Sequence, residues 1–390
     1  MSQQSTARSP LEGSVLYRRG SVYTTVDPGA SALIAEGDQV VWVGSEQAAD
    51  SLQDERMQVV ELDGRLITPA FVDSSADLSR SAHPSAAAAL GLGAVVHTGG
   101  LQDDEALHSW VEAAQQGRAA RVLLWPSLDP QDDVASVVEQ IRERFSAALV
   151  GLRLPVADAD AQAVASFCTA VSQESLAPAL AVSRADELAI ALEGLELVAS
   201  SAGERTAHAM GVRVDLVGAV ELTQRDLERL AAASVTLCLD PSVEAPVAEL
   251  YRQGIPVVWG TGAALLDGWE AVRALLHHPD PQQRISARAA FVAATRGAWR
   301  ALGGGHPMAG QLASGTPATY AVWEVEALMV QQAEGTGASW STDPRARTPL
   351  LPALEDEASP RCTQTVVDGR ILPLSRDIPT PRHLPWEDAR

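Results

Sequence analysis

Eight short apolar runs, most followed by a helical stretch, set the narrowest limit on what this chain can fold into. The runs are Ile67–Asp73, Ala94–Thr98, Arg121–Pro126, Leu149–Leu154, Ala179–Ser183, Val212–Leu216, Val235–Leu239 and Val257–Thr261. Between them the Ala/Glu/Arg-rich segments Asp104–Gln116, Ala135–Phe145, Ala159–Ser172, Ala185–Ala199, Gln224–Ala233 and Val243–Gln253 carry helical texture. Asp267–Leu276 and Ser286–Leu302 continue it after the last run. Eight strands alternating with helices over about 240 residues predict one α/β (β/α)8 barrel. A doubly wound open sheet is the other arrangement with this rhythm, but no GxGxxG follows the first strand.

The flanks read differently. Ser14–Tyr17, Ser31–Ala35 and Gln39–Val43 are β-prone runs divided by turn residues such as Gly37-Asp38, and Asp63-Gly64 ends the run that begins at Val59. Beyond Gly303, Ala318–Val325 and Cys362–Leu372 are strand-like, with Asp368-Gly369 as a hairpin signal. The Pro/Asp/Glu-rich stretch Gly335–Pro360 between them predicts an irregular loop, and Pro379–Arg390 an extended tail.

Composition removes several chemistries. All 29 basic residues are Arg, and the sequence contains neither Lys nor Asn, a bias expected of a G+C-rich bacterial genome. Without Lys there is no phosphate-loop lysine, no Schiff-base lysine and no kinase-type ATP lysine. Fifty acidic residues give a net charge of −21, which argues against nucleic-acid partners. Cys168, Cys238 and Cys362 form no CxxC and suit buried thiols in a reducing cytoplasm. The polar start Met1–Pro10 lacks a signal-peptide apolar run, and no run approaches the ~20 apolar residues of a membrane helix. The expectation is a soluble cytoplasmic protein with no membrane partner.

The segment Gly64-Arg65-Leu66-Ile67-Thr68-Pro69-Ala70-Phe71-Val72-Asp73 resembles the entry into the barrel of the amidohydrolase superfamily. The resemblance continues at Gly254–Val257, at Leu266–Arg273, along Ile285–Gly297, over Gly310–Trp323 and at Thr365–Arg370, spanning residues 13 to 373 in order. It implies a β-sandwich built from both chain ends around the barrel: 11–66 and 309–375 in the sandwich, 67–308 in the barrel, 376–390 a tail. It also implies one or two divalent cations, commonly zinc, activating water for hydrolysis of C–N bonds.

The family's metal ligands, carried onto this chain, meet the wrong residues. Its first-strand HxH falls on Ser75 and Asp77, and its fourth-strand carboxylated lysine on Arg153. Its fifth- and sixth-strand histidines fall near Ser183 and Leu216, and its eighth-strand aspartate on Gly262. Thr319 stands where the return to the sandwich usually has Asp. Arg cannot be carboxylated and stays charged. None of the eight histidines forms HxH, HxxxH or HxxEH. The adjacent His277 and His278 read as a solvated last helical turn.

Other groups near strand ends are candidates for a rebuilt site. Asp73, Asp77 and Asp215 are the acid/base candidates, and His97, His208, Asp240 and Trp259 the pocket candidates. Cys238 reads as core, and no GxSxG elbow is present. Arg153, placed at the barrel mouth, calls for a counter-charge from Asp77 or Asp215. Three functions stay open: a degenerate amidohydrolase without a metal, kept for binding or regulation of a small molecule; a working hydrolase of C–N bonds; and a structural subunit beside an active homologue. Self-association is compatible with all three.

Overall fold

The computed structural model describes residues 13–374, apart from 81–82, 102–103, 304, 335–336, 342–348 and 355–358. The tail and Met1–Pro10 lie outside the described residues. A (β/α)8 barrel forms the bulk of the fold, and its eight parallel strands run Phe71–Ala76, Leu92–His97, Arg121–Leu124, Gly151–Pro155, Ala177–Val182, Arg213–Leu216, Thr236–Leu239 and Val257–Trp259. They form two sheets, strands one to three and strands four to eight. A bridge between Ser127 and Arg153 joins the third strand to the fourth. The Gly262 amide donates to the Ser75 carbonyl at 2.7 Å and joins the eighth to the first. At Gly260 a Cβ would lie 2.3 Å from the Ser75 nitrogen, so only glycine lets these two strand ends meet.

Strand periodicity divides the core. Val72, Ala94, Val96, Leu123, Trp125, Ala179, Cys238 and Val258 point into the barrel, where Trp299 and Leu302 pack with them. Alternate residues, Trp259 and Leu216 among them, pack outward against the helices. Acidic and hydroxyl N-caps start many of these helices: Asp133 and Asp160 each accept a first-turn amide, and Thr223 with Asp226 forms a capping box.

The β-sandwich draws on both chain ends. One sheet holds Ser14–Arg18, Ala32–Glu36, Gln39–Gly44, Gln58–Glu61 and Thr316–Pro317; the other holds Ser21–Val22, Leu66–Pro69, Tyr320–Glu324, Arg361–Val367 and Arg370–Ile371. Tyr17 and Tyr320 meet edge to face between them at 5.6 Å. Asp368 and Gly369 both take positive φ, as the hairpin signal requires.

Several boundaries differ from the sequence expectation. The run expected as Ile67–Asp73 is two strands: Leu66–Pro69 pairs with Tyr320–Trp323 in the sandwich, and the barrel begins at Phe71. Leu149 belongs to a two-residue strand beside the third barrel strand. The helix expected over Ser286–Leu302 breaks at Thr295, because the Ala294 carbonyl is diverted to accept the Val72 amide of the first barrel strand. Pro246 delays the helix expected from Val243, which runs Val247–Arg252. Part of the stretch expected to be irregular is strand: Gly337–Ser341 pairs with Leu328–Glu334, and Leu351–Pro352 lies on its other side. A short helix, Glu46–Leu52, was not expected. His278 is buried rather than solvated, its Nδ1 taking the Asp280 amide.

An aromatic cluster fixes barrel to sandwich. Phe71 lies edge-on to Trp269, Phe291 and Trp323 at 5.0, 5.4 and 5.7 Å. The Trp323 indole donates to Thr68 Oγ1. Trp323→Ala is expected to cost about 3–5 kcal/mol of stability, read as a lowered midpoint in urea denaturation.

Candidate functional site

The C-terminal mouth of the barrel is built from inward residues of alternate register. On the sixth strand the inward pair is Arg213 and Asp215, two residues apart and so on one face. Leu216, the expected ligand position, faces the helices; the register there is one residue off the sequence placement. On the fourth strand Arg153 is inward and pairs in register with Ala179, which pairs with Arg213. Ala179 and Ala181 on the intervening strand are small, which leaves Arg153 room to reach across to the sixth.

The two arginines share one carboxylate. Arg153 Nε donates to Asp215 Oδ2 at 2.8 Å, and Arg213 Nη2 donates to the same oxygen at 2.9 Å. Arg213 Nε lies 2.6 Å from Asp215 Oδ1. Of the two counter-charges considered for Arg153, the pair is made with Asp215. Arg213 Nη1 also donates to the Ser74 carbonyl of the first strand, 2.9 Å away. Arg153 Nη1 donates to Ser127 Oγ and to the Thr98 carbonyl, and its Nη2 has no hydrogen-bond partner among the described residues. The Arg213 and Asp215 side chains are 1% and 4% exposed, against 12% for Arg153, so only Arg153 meets solvent appreciably.

Beneath Arg213 lies Trp125, its ring centroid 4.1 Å from the guanidinium carbon, a cation–π stack. The indole donates to the Leu152 carbonyl. A Cβ at Gly151 would lie 2.4 Å from the indole, so this glycine makes room for it. Burial opposes the Arg213 charge, but Asp215 outweighs it and holds the guanidinium above its usual range.

The remaining candidates divide into mouth residues and others. Asp73 is fully buried and accepts the Leu266 and Ser75 amides at 2.8 and 3.1 Å. Burial pushes its carboxyl up to about 7, helped by Asp240 and opposed by those amides and Arg213. Asp240 accepts from the Ser242 amide and hydroxyl, and Asp77 from the Ser79 amide. Ser75 Oγ is 2.7 Å from Thr98 Oγ1. Ser183 donates from its amide and hydroxyl to the buried Glu187, which also meets Arg184. Gly262, at φ +71°, offers only its backbone.

His97 is buried at the mouth, but both ring nitrogens are used. Nδ1 accepts the Leu78 amide and Nε2 faces the Gly100 carbonyl, while burial lowers its pKa and keeps it neutral. It anchors the loops around it. His208 lies on the helix Glu204–Ala209, ahead of the sixth strand, and binds the Ala232 carbonyl at the opposite end of the barrel. Trp259 packs outward and donates to the Ala290 carbonyl, so it does not wall the mouth. The Cys238 thiol, buried in the barrel, is pushed well up and stays protonated.

The donor set at the mouth does not match a divalent cation. Guanidinium offers no lone pair to a metal, and two of them occupy the centre. Among the described residues no group of three His, Cys, Asp or Glu side chains is placed to hold an ion. Arg213 and Trp125 are the residues that sequence reasoning missed; the two-residue spacing of Arg213 from Asp215 on one strand was the available signal.

A family profile described as "Amidohydrolase family" matches residues 85–373. Among solved structures, atrazine chlorohydrolase from Arthrobacter aurescens TC1, complexed with zinc, is similar at 15% identity and TM-score 0.64, over 92% of this chain and 95% of that one. A triazine hydrolase variant gives 17% identity and TM-score 0.63 over 93% and 95%. An uncharacterized metal-dependent hydrolase from Pyrococcus furiosus gives 13% and 0.61 over 79% and 98%. No curated protein matches. Among the described residues no helix is long and apolar enough to cross a membrane.

Two outcomes follow from this geometry. Asp215→Ala leaves the buried Arg213 and the half-buried Arg153 without their carboxylate and is expected to lower stability by about 3–5 kcal/mol, with Arg153→Ala milder because Arg153 is partly exposed; urea denaturation reads both. For Asp73, the folded carboxyl holds its proton up to about 7 against an ordinary 3.8. Between those values the unfolded chain has lost a proton that the folded chain keeps, so stability falls as pH rises through that window and levels off above it. Asp73→Asn cannot ionise and lacks this fall. The stability advantage of the parent over the variant is therefore expected to be larger near about pH 5 than near about pH 8; an unchanged difference would refute the assignment.

Proposed function

The chain belongs to the amidohydrolase family, and from that premise we propose that it binds a small molecule at the barrel mouth without metal-dependent hydrolysis. The observation that carries this reading is the Arg153–Asp215–Arg213 cluster stacked on Trp125. A zinc hydroxide needs neutral imidazoles or carboxylates with free lone pairs around the ion. On the sequence resemblance the family's ligand positions fall on Ser75, Asp77, Arg153 and Gly262, and near Ser183 and Leu216, of which Leu216 packs against the helices. Asp215, the carboxylate between the two guanidiniums, is already shared by both.

What the mouth can do instead is hold an anion. Arg153 is the cation nearest solvent in the cluster and keeps Nη2 for a ligand, while Nε and Nη1 fix its plane. A fixed guanidinium edge suits a carboxylate. The ligand class is therefore a small carboxylate, and the role one of binding or regulation.

Elemental analysis of protein purified without chelator is expected to give zinc, manganese, nickel and iron well below one per chain. Turnover of amides, ureas, imines or lactones is expected to be insensitive to chelator. Malonate is expected to raise the melting temperature of the parent and not of Arg153→Gln. About one tightly held metal per chain, with a chelator-sensitive activity lost in Asp77→Ala, would restore the hydrolase reading.

A further inference from the structure

A second group of arginines, at the other end of the barrel, has the opposite electrostatics. A cavity of about 680 Å³ opens where the N-terminal ends of the seventh and eighth strands, at Thr236 and Val257, approach the β-sandwich at Tyr23 and Thr24. Arg288, Arg296 and Arg300 line it, and no Asp or Glu does. The chain carries 50 acidic residues against 29 arginines, so an arginine cluster without a carboxylate runs against its composition. Among the described residues none of the three has an ion-pair partner. At the mouth, by contrast, both arginines are paired.

One buried polar atom on the cavity wall is also left over: Arg296 Nε has no hydrogen-bond partner. The hydroxyl of Tyr23, a residue only 5% exposed, faces the Arg288 guanidinium. Arg296 is held there by close packing: a Cβ on Gly310 would lie 2.7 Å from its backbone. Burial and the neighbouring Arg300 charge together hold Arg296 below its usual range. Leaving a buried donor unpaired costs free energy, and facing it with a like charge adds to that cost. Bound oxyanions relieve both, through charge-assisted hydrogen bonds. Tyr251, Val257, Val292 and Leu312 add apolar lining, and the volume is that of a small-molecule site.

We propose that this cavity is a binding site for a small multiply charged organic anion, phosphate- or carboxylate-bearing, with its charged end on Arg288, Arg296 and Arg300. Tyr23 and Thr24 come from the sandwich, and Arg296 and Arg300 from the helix that closes the barrel floor. A bound anion therefore ties the two parts together at a place remote from the mouth. This site does not depend on how the mouth is read.

The test is isothermal titration of the full chain with pyrophosphate and with citrate at low ionic strength, paired with melting curves. Saturable binding of at least one probe is expected, with a raised melting temperature and at least a tenfold weaker affinity in Arg296→Gln and in Arg300→Gln. Binding confined to pyrophosphate assigns a phosphate ligand, and binding confined to citrate a carboxylate. Without ligand both variants are expected to melt no lower than the parent, since each removes a cation that faces another. Arg300 is exposed, so its variant keeps the test valid if Arg296→Gln folds poorly. Arg153→Gln is expected to retain the binding. The proposal is overturned by the absence of saturable heat with both probes, by unchanged affinity in Arg300→Gln, or by loss of the binding in Arg153→Gln.

Discussion

One carboxylate shared between two guanidiniums organises the upper half of the barrel. Asp215 receives Arg153 from the fourth strand and Arg213 from its own. Arg213 reaches on to the Ser74 carbonyl of the first strand, and Arg153 to the Thr98 carbonyl and Ser127 beyond the second and third. Five of the eight strands are thus cross-braced through one buried charge network. Such a network is expensive to desolvate, and a well-packed apolar core of equal volume would often be as stable. Part of the desolvation is offset by further contacts: a carbonyl and a hydroxyl for Arg153, a carbonyl and an indole face for Arg213.

The legible parts of this fold were those set by period and by turn chemistry. The alternation of apolar runs with helical segments gave all eight barrel strands, and Asp368-Gly369 gave a hairpin whose left-handed φ values only such a pair adopts cheaply. Local pattern was silent where a distant group decided the outcome. Nothing in Ser286–Leu302 reveals that the Ala294 carbonyl will be taken by Val72, across more than half the chain, and that the helix must break there. The strand at Ile67 is continuous with Phe71 in hydropathy, yet it divides because Tyr320–Trp323 claims the first half for the other sheet.

Along the barrel strands the sequence placement comes within one residue of the inward register, and in a strand one residue is a whole face. Arg153 is inward as placed, and its ion pair was foreseeable because a buried cation needs an anion. On the sixth strand the sequence places the ligand position near Leu216, whereas the pleat turns Leu216 to the helices and Asp215 inward. His208 and Trp259 misled for a related reason. Nearness to a strand end along the sequence does not say which end of the barrel, or which side of the strand, a side chain occupies.

Set side by side, the two arginine groups show how pairing separates structure from binding. At the mouth, strand register delivers Asp215 to both guanidiniums, and the charges are largely spent inside the protein. At the barrel floor, the helix that follows Thr295 carries Arg296 and Arg300 toward the sandwich with no carboxylate delivered to meet them. A chain so rich in Asp and Glu could have supplied one at small cost in composition. A guanidinium whose buried Nε has no partner, facing a second guanidinium, raises the folded state's free energy, and a bound anion would lower it. The two ends of the barrel thus differ in charge balance: the mouth arginines are neutralised by their brace, and the floor arginines have no ion-pair partner among the described residues.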